Sequence, residues 1–343
     1  MKNNNWKDKI SNHQQLGGIE LSVLDNGDGR GCRIAWFNTG SGLRFKVVID
    51  RAMDIVDAFY NKHSLAWISH LGVSSPNPTV DYATNWLKSF SGGLLTTCGL
   101  THTGGDEKDE SGERGVHDRI SQQPATIESV IQPNLIKGNM EMSITGRMIQ
   151  TSLLGPSLEL KRTISVELGS SLINIKDEVT NLGNSDAPHM LLYHLNFGWP
   201  LVDEDTEILW DGTCKSRGGG MDNKIFNAGS NFKRCTAPSD DYQGKQEAVG
   251  FIDLKTDANG FCECGLHNSK LGLAVKIKYS KAQLPWMANW QHFGKNEYVT
   301  ALEPCTAPPI GQTAAKKENL LIQLKPQETR LYELKIDVFN INH

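Results

Sequence analysis

LELKRTISV, from Leu158 to Val166, alternates residue by residue: Leu158, Leu160, Ile164 and Val166 are apolar, while Glu159, Lys161, Thr163 and Ser165 are polar, with Arg162 alone out of step. A period of two is the mark of a strand with one face buried and one face in water. The same pattern recurs on both sides of this stretch. Ile136, Met140, Met142 and Ile144 alternate with Lys137, Asn139, Glu141 and Ser143. Ile173, Ile175 and Val179 share a face on which Asp177 is the exception. Leu271, Leu273, Val275, Ile277 and Tyr279 stand against Lys276 and Lys278, and Tyr332, Leu334 and Ile336, after Arg330, against Glu333, Lys335 and Asp337. Turn dipeptides punctuate these runs: Asn26-Gly27, Asp28-Gly29, Asp211-Gly212 and Asn259-Gly260 supply the positive φ that tight hairpins need. No long stretch has a helical period; the best helix candidate is short, from Tyr82 to Lys88. Many strands in succession predict an all-β fold, a large antiparallel sandwich.

Bulk composition agrees with one such domain over residues 1–343. Hydrophobic residues make up 38% and charged residues 22%, enough for a sizeable core. A formal charge of −4, without a basic stripe, argues against a nucleic-acid partner. The N-terminal MKNNNWKDKI lacks an apolar segment and no run is long enough to span a membrane, so the expected location is the cytoplasm. Seven cysteines at irregular spacing read as small buried side chains, not as a disulfide framework. The charged, Gly-rich segment from Thr101 to Arg114 reads as a loop at the mouth of a site, and 212–246 is also loop-rich.

Four segments break the alternation with clustered polar and aromatic residues. In IDRAMDI (Ile49–Ile55), Arg51 and Asp54 interrupt an apolar run. They fit a structural ion pair or donors and acceptors for a hydroxylated ligand. In SGGLLTTCGL (Ser91–Leu100), paired glycines signal close backbone approach, and the later His117 and Arg119 would share a face if extended. In MLLYHLNFGWP (Met190–Pro200), His194 sits among Tyr193, Asn196, Phe197 and Trp199. Aromatic rings suit the apolar faces of sugar rings, and histidine can give and take a proton near neutrality. In the last segment, WMANWQHFG followed by ALEPCT, Trp290 and His292 share a face. Glu303 closes an apolar run, where desolvation would raise its pKa. Plain structural roles are open to each of these residues too. There is no P-loop, no G-x-S-x-G and no H-x-H or H-E-x-x-H metal spacing, and Gly27-x-Gly29-x-Gly31 has no helix after it. No cofactor and no metal is expected.

Taken together, D-R-x-x-D-I, G-G-L-L-x-T-C-G-L with the later H-x-R-I-S, L-L-Y-H-x-N-F-G-x-P and L-E-P resemble the galactose mutarotase-like (aldose 1-epimerase) superfamily. The resemblance spans residues 50–305 and is nearest to a bacterial branch defined as a domain of unknown function. It implies a β-supersandwich with a sugar in a concave groove. His194 and Glu303 would be the catalytic pair. His117 and Arg51 would bind the substrate's hydroxyls, although the early motif departs from the usual Asn-Arg pattern; Asp54, Arg119, Asn196 and Trp290, read from the residues themselves, are the further expected substrate contacts. No residue answers the aspartate that such enzymes carry later in the chain.

The expected activity is acid–base ring opening that interconverts sugar anomers. Glu303 would take the anomeric proton and His194 would protonate the ring oxygen. Two other readings stay open: a carbohydrate-binding protein without catalysis, and another isomerase or lyase acting on sugars. The expected partner is a small-molecule carbohydrate, with neither nucleic acid nor membrane; a homo-oligomer is compatible with the sequence.

Overall fold

The structure is a computed structural model and describes Trp6 and residues 8–77, 80–110 and 112–341. Residues 1–5 and 7 of the N-terminal stretch read above, and residue 111 of the segment 101–114, lie outside the described residues. The regular structure of the described residues is almost entirely antiparallel sheet, as the alternation predicts. A five-stranded meander runs from Gly18–Val23 to His63–Ser64. An eight-stranded sheet follows the order Glu207–Trp210, Phe261–Asn268, Leu273–Ser280, Thr329–Asn340, Leu172–Asn181, Ser157–Glu167, Glu141–Thr151, Thr126–Ile131. A seven-stranded sheet is centred on Ala187–Gly198, with Glu297–Cys305, Trp286–Gly294, Ala248–Leu254 and Gly212–Ser216 to one side and Ile322–Leu324 to the other; Thr96–Leu100 also pairs with the central strand.

The largest hydrophobic cluster draws side chains from all three sheets. Leu158, Leu160, Ile164 and Val166 lie in it with Ile173, Ile175 and Val179 from the next strand, so the inward face is the one the alternation marked. The two exceptions in that pattern meet. Register places Arg162 opposite Asp177. The guanidinium donates to both Asp177 oxygens at 2.9 and 2.6 Å. It also reaches Asp54 Oδ1 at 3.0 Å and the carbonyl of Ala52 at 3.1 Å. Tyr193 donates to Asp177 at 2.8 Å, and the Thr97 backbone and hydroxyl donate to Asp54. One fully buried polar network thus ties the three sheets together.

Odd-numbered residues of Ala187–Gly198 reach across to the eight-stranded sheet. Tyr193 does so through Asp177, and His189 Nε2 lies 2.8 Å from the Tyr332 hydroxyl while Nδ1 lies 3.0 Å from the Leu100 carbonyl. Even-numbered residues of the strand therefore face the opposite way. This separates His189 from His194.

Burial pushes the His189 pKa down to about 4. In the unfolded chain it returns to about 6.5, so the unfolded state binds the extra proton between these values. Stability is then fully present above about pH 6.5 and falls as pH drops toward 4. From this group alone the loss at pH 5 is roughly 2 kcal/mol. Urea midpoints at pH 7 and pH 5 measure it, and His189→Gln should narrow the difference; an unchanged difference would refute this account.

Local details differ from the sequence reading. The alternation from Ile136 to Ile144 is strand only in its second half: the strand Glu141–Thr151 buries Met142 and Ile144, whereas residues 134–139 form a turn with Ile136 exposed. Gly138 at φ 72° allows this, because its backbone takes the left-handed conformation. The candidate helix Tyr82–Lys88 is a single 3-10 turn, Asn85–Lys88. The segment from Thr101 to Arg114 carries a small hairpin, Glu107–Asp109 paired with Gly112–Arg114.

Candidate active site

The seven-stranded sheet sets the site by register. Leu192 pairs with Cys305 and Leu195 with Leu302, which brings His194 opposite Glu303. Ala288 lies opposite Glu303 and Trp290 opposite Ala301. Side chains alternate along each strand, so His194, Asn196, Glu303 and Trp290 stand on one face, turned away from the Arg162 network. His194 Nε2 lies 3.4 Å from Glu303 Oε1, with side-chain exposures of only 7% and 4%.

Aromatic rings wall this pair. Phe90 and Trp290 have centroids 5.1 and 5.5 Å from His194, and the Trp290 ring meets the imidazole edge-on at 74°. Trp86 stacks on Phe90 at 4.4 Å and approaches His117 at 4.8 Å. His117 stands perpendicular to His194 at 6.1 Å, and Trp67 touches both Phe90 and Trp290 at 5.9 Å. The glycines of SGGLL permit this packing. A Cβ on Gly92 would lie 2.5 Å from the Trp67 carbonyl, and one on Gly93 2.7 Å from the Val56 backbone.

Among the described residues, three buried polar atoms at this face lack a hydrogen-bond partner: His194 Nδ1, Asn196 Oδ1 and Glu303 Oε1. Desolvated atoms of this kind are costly unless a ligand uses them. Burial drives the His194 pKa down to about 3, with the Asn196 amide opposing. Burial pushes the Glu303 carboxyl well above its usual range; Glu247 adds to that rise and Arg217 works against it. Burial and the neighbouring His194 and His102 hold His117 well below 6.5. Near neutrality the imidazole is therefore neutral, and desolvation favours the proton on the carboxyl. The pair then carries one proton, on the carboxyl, and has no net charge. Such a pair can give a proton to one ligand atom while taking one from another.

His194, Glu303, Asn196, Trp290 and His117 come together. Asn196 donates to the carbonyls of Gly93 and His194, at 3.0 and 2.9 Å, and its oxygen stays open. His117 arrives by a route other than a strand. It and Asp118 both take positive φ, 54° and 59°, which reverses the chain and aims His117 and Arg119 apart.

Three residues read as ligand contacts have other tasks. Arg51 is buried and donates to the carbonyls of Ser121, Ser74 and Ser89, so its guanidinium braces loops. Asp54 lies on the core side, in the Arg162 network. Arg119 pairs with Asp81 at 3.3 Å and reaches Ser152 at 3.1 Å. Its cleft, about 130 Å³, is lined by Thr101, Asp118 and Gln150 and by none of the pair.

Sequence reasoning missed the walls Trp67, Trp86 and Phe90 and the rim residues Arg217 and Glu247. Trp86 and Phe90 could have been suspected from their spacing of four beside the short helix candidate. Arg217 and Glu247 lie in loop-rich sequence without a motif. Clefts of about 300 and 440 Å³ flank Trp210, and neither is lined by His194 or Glu303. Among the described residues, no group of three or more His, Cys, Asp or Glu could hold a metal ion.

The family described as Domain of unknown function (DUF4432) matches residues 29–338. Among curated proteins, none matches the sequence significantly. Solved structures share the fold. A Klebsiella pneumoniae protein provisionally assigned as an aldose 1-epimerase superposes with a TM-score of 0.86 at 20% identity, over 96% of this chain and 86% of its own. A galactose mutarotase-like protein from Clostridium acetobutylicum gives 0.65 at 12% identity, over 94% and 98%. An Escherichia coli protein, also provisionally an aldose 1-epimerase, gives 0.57 at 12%, over 88% and 97%.

Proposed function

We propose that this chain, which belongs to the DUF4432 family of domains of unknown function and has a galactose mutarotase-like fold, is a single-domain aldose 1-epimerase-type enzyme that interconverts the anomers of an uncharged sugar. The observation that carries this reading is the buried His194–Glu303 pair, 3.4 Å apart and walled by aromatic rings. The aromatic faces would hold a pyranose ring by its C–H surfaces. Asn196 Oδ1 and His117 would face its hydroxyls.

In the working form Glu303 is the carboxylate and His194 the imidazolium. This form arises from the resting one by moving the shared proton across the pair, with no change in net charge. Glu303 removes the proton from the anomeric hydroxyl as His194 protonates the ring oxygen. The C1–O5 bond breaks and the C1–O1 bond becomes a carbonyl. Rotation about C1–C2 offers the other carbonyl face, and closure runs the transfers in reverse. Each group contributes about 10²–10⁴-fold. Activity needs one proton on the pair. It therefore falls in acid as His194, near 3 in the free protein, and Glu303 are both protonated, and in base as the raised Glu303 carboxyl ionises.

The charge at the rim supports an uncharged substrate. Arg217 is bonded to both Asp222 and Glu247, leaving the cluster with a net negative charge. Arg51 and Arg119 are committed elsewhere. Magnetisation-transfer NMR across aldoses, uronates and phosphorylated sugars tests both points. Exchange between α and β signals should speed up for a neutral sugar, and kcat/KM should be at least about tenfold lower for its anionic analogue, equivalent to about 1.4 kcal/mol of rim repulsion. Preference for the anion would refute the charge argument. No exchange with any sugar, alongside line broadening that reports binding, would overturn the enzyme reading in favour of a binding protein.

A further inference from the structure

We propose that Glu247, pinned between Arg217 and the Trp290 indole beside the His194–Glu303 pair, is a positioning residue that holds Trp290 edge-on to His194 and sets the charge felt at Glu303. The inference rests on Glu303 being the acid–base group of the proposed reaction.

The contacts form a chain with a fixed inner end. Asp222, buried on the short helix Gly220–Ile225, accepts from the Val249 backbone at 2.8 Å. It grips Arg217 through Nε at 2.9 Å and Nη2 at 3.1 Å. This two-point grip orients the guanidinium so that Nη1 donates to Glu247 Oε1 at 2.7 Å. The other Glu247 oxygen, Oε2, accepts from Trp290 Nε1 at 3.0 Å. The Trp290 ring then lies 5.5 Å from His194 on one side and stacks at 24° on His292 on the other. His292 Nδ1 lies 2.8 Å from the carbonyl of Gln246, the neighbour of Glu247, which closes the loop of contacts. Both Glu247 oxygens are thus occupied, one by a cation and one by an indole N–H.

Several titratable and charged groups bear on Glu303. His194 faces it from Ala187–Gly198, Cys98 from Thr96–Leu100, and Cys305 from its own strand. The neighbouring strand Trp286–Gly294 offers Ala288, which carries no charge. His117 lies behind His194. At the rim Glu247 and Arg217 act on Glu303 in opposite senses. Burial is the largest influence, and the rim pair is the adjustable part.

Two substitutions separate position from charge. Glu247→Gln keeps an oxygen for the indole and removes the charge; Glu247→Ala removes both. In the full-length protein the Trp290 indole is followed by its ¹H–¹⁵N signal, assigned with Trp290→Phe. Glu303 is followed by ¹³C-carboxyl titration, assigned with Glu303→Gln. Glu247→Gln should leave the indole signal near its wild-type position and lower the Glu303 midpoint by about half to one pH unit. Glu247→Ala should lower the midpoint similarly and also displace the indole signal. Arg217→Met should raise the midpoint. In an active protein the alkaline limb of the exchange rate should move with each midpoint. An unmoved Glu303 midpoint in both Glu247→Gln and Arg217→Met overturns the charge role. An unmoved indole signal in Glu247→Ala overturns the positioning role. Neither readout needs a sugar, so absence of exchange with every sugar would sink the proposed reaction without touching this result.

Discussion

Glu303→Gln and His194→Ala should each slow anomer exchange by about 10²–10⁴-fold and leave the protein folded. In the proposed mechanism the pair acts through one proton, so losing either partner disables the other. The double variant should therefore be scarcely slower than the worse single one. Glu303→Gln is the cleaner of the two. Burial already favours a neutral carboxyl at this position, and glutamine is a neutral group of the same shape. Its urea midpoint should stay near wild type while exchange disappears. His194→Ala leaves a small gap beside Phe90 and Trp290, so some stability is lost with it. Full exchange rates in both variants would refute the assignment of the pair. A rate lost only together with the urea transition would show that these residues serve the fold and not the chemistry.

Arg162→Ala should destabilise the protein by about 3–5 kcal/mol. Arg162 is fully buried and satisfies three oxygens of Asp177 and Asp54 as well as the Ala52 carbonyl. Removing it strands two carboxylates in the core, with donors left among the described residues only from Tyr193 and Thr97. Burial already pushes Asp54 upward, and the loss of Arg162, which opposes that push, drives its pKa higher still. The charge is therefore not simply deleted: the stranded Asp54 carboxyl takes up a proton, and part of the destabilisation relaxes at low pH. Urea unfolding at pH 7 and pH 5 reads both effects. By contrast, deleting an exposed pair such as Lys255 with Asp211 should cost under about 1 kcal/mol. A loss of that small size for Arg162→Ala would show that the network contributes little.

The alternation at Leu158–Val166 was enough to identify a strand and its buried face, because side-chain direction has a period of two whatever the strand packs against. It exposed Arg162 as a charge at an inward position, as the alternation of Ile173, Ile175 and Val179 did for Asp177. That they neutralise each other depends on register, a relation between strands, and not on either stretch alone. A charge interrupting an apolar run has the same local appearance whether it meets a ligand or a buried partner, which is why Arg51 and Asp54 read as ligand contacts and proved to brace loops and core. Residue type and motif order singled out His194 and Glu303, whereas pairing of their strands put them 3.4 Å apart. The rim lay beyond local patterns altogether: Arg217 and Glu247 are 30 residues apart in loop-rich sequence. By itself, then, the sequence determined the sheet class, the inward faces and the residues able to exchange protons, since these follow from local periodicity and side-chain chemistry. Only the tertiary structure decided which charges cancel, which polar atoms stay open and which groups bear on Glu303, because desolvation and Coulombic interaction depend on distances that only packing sets.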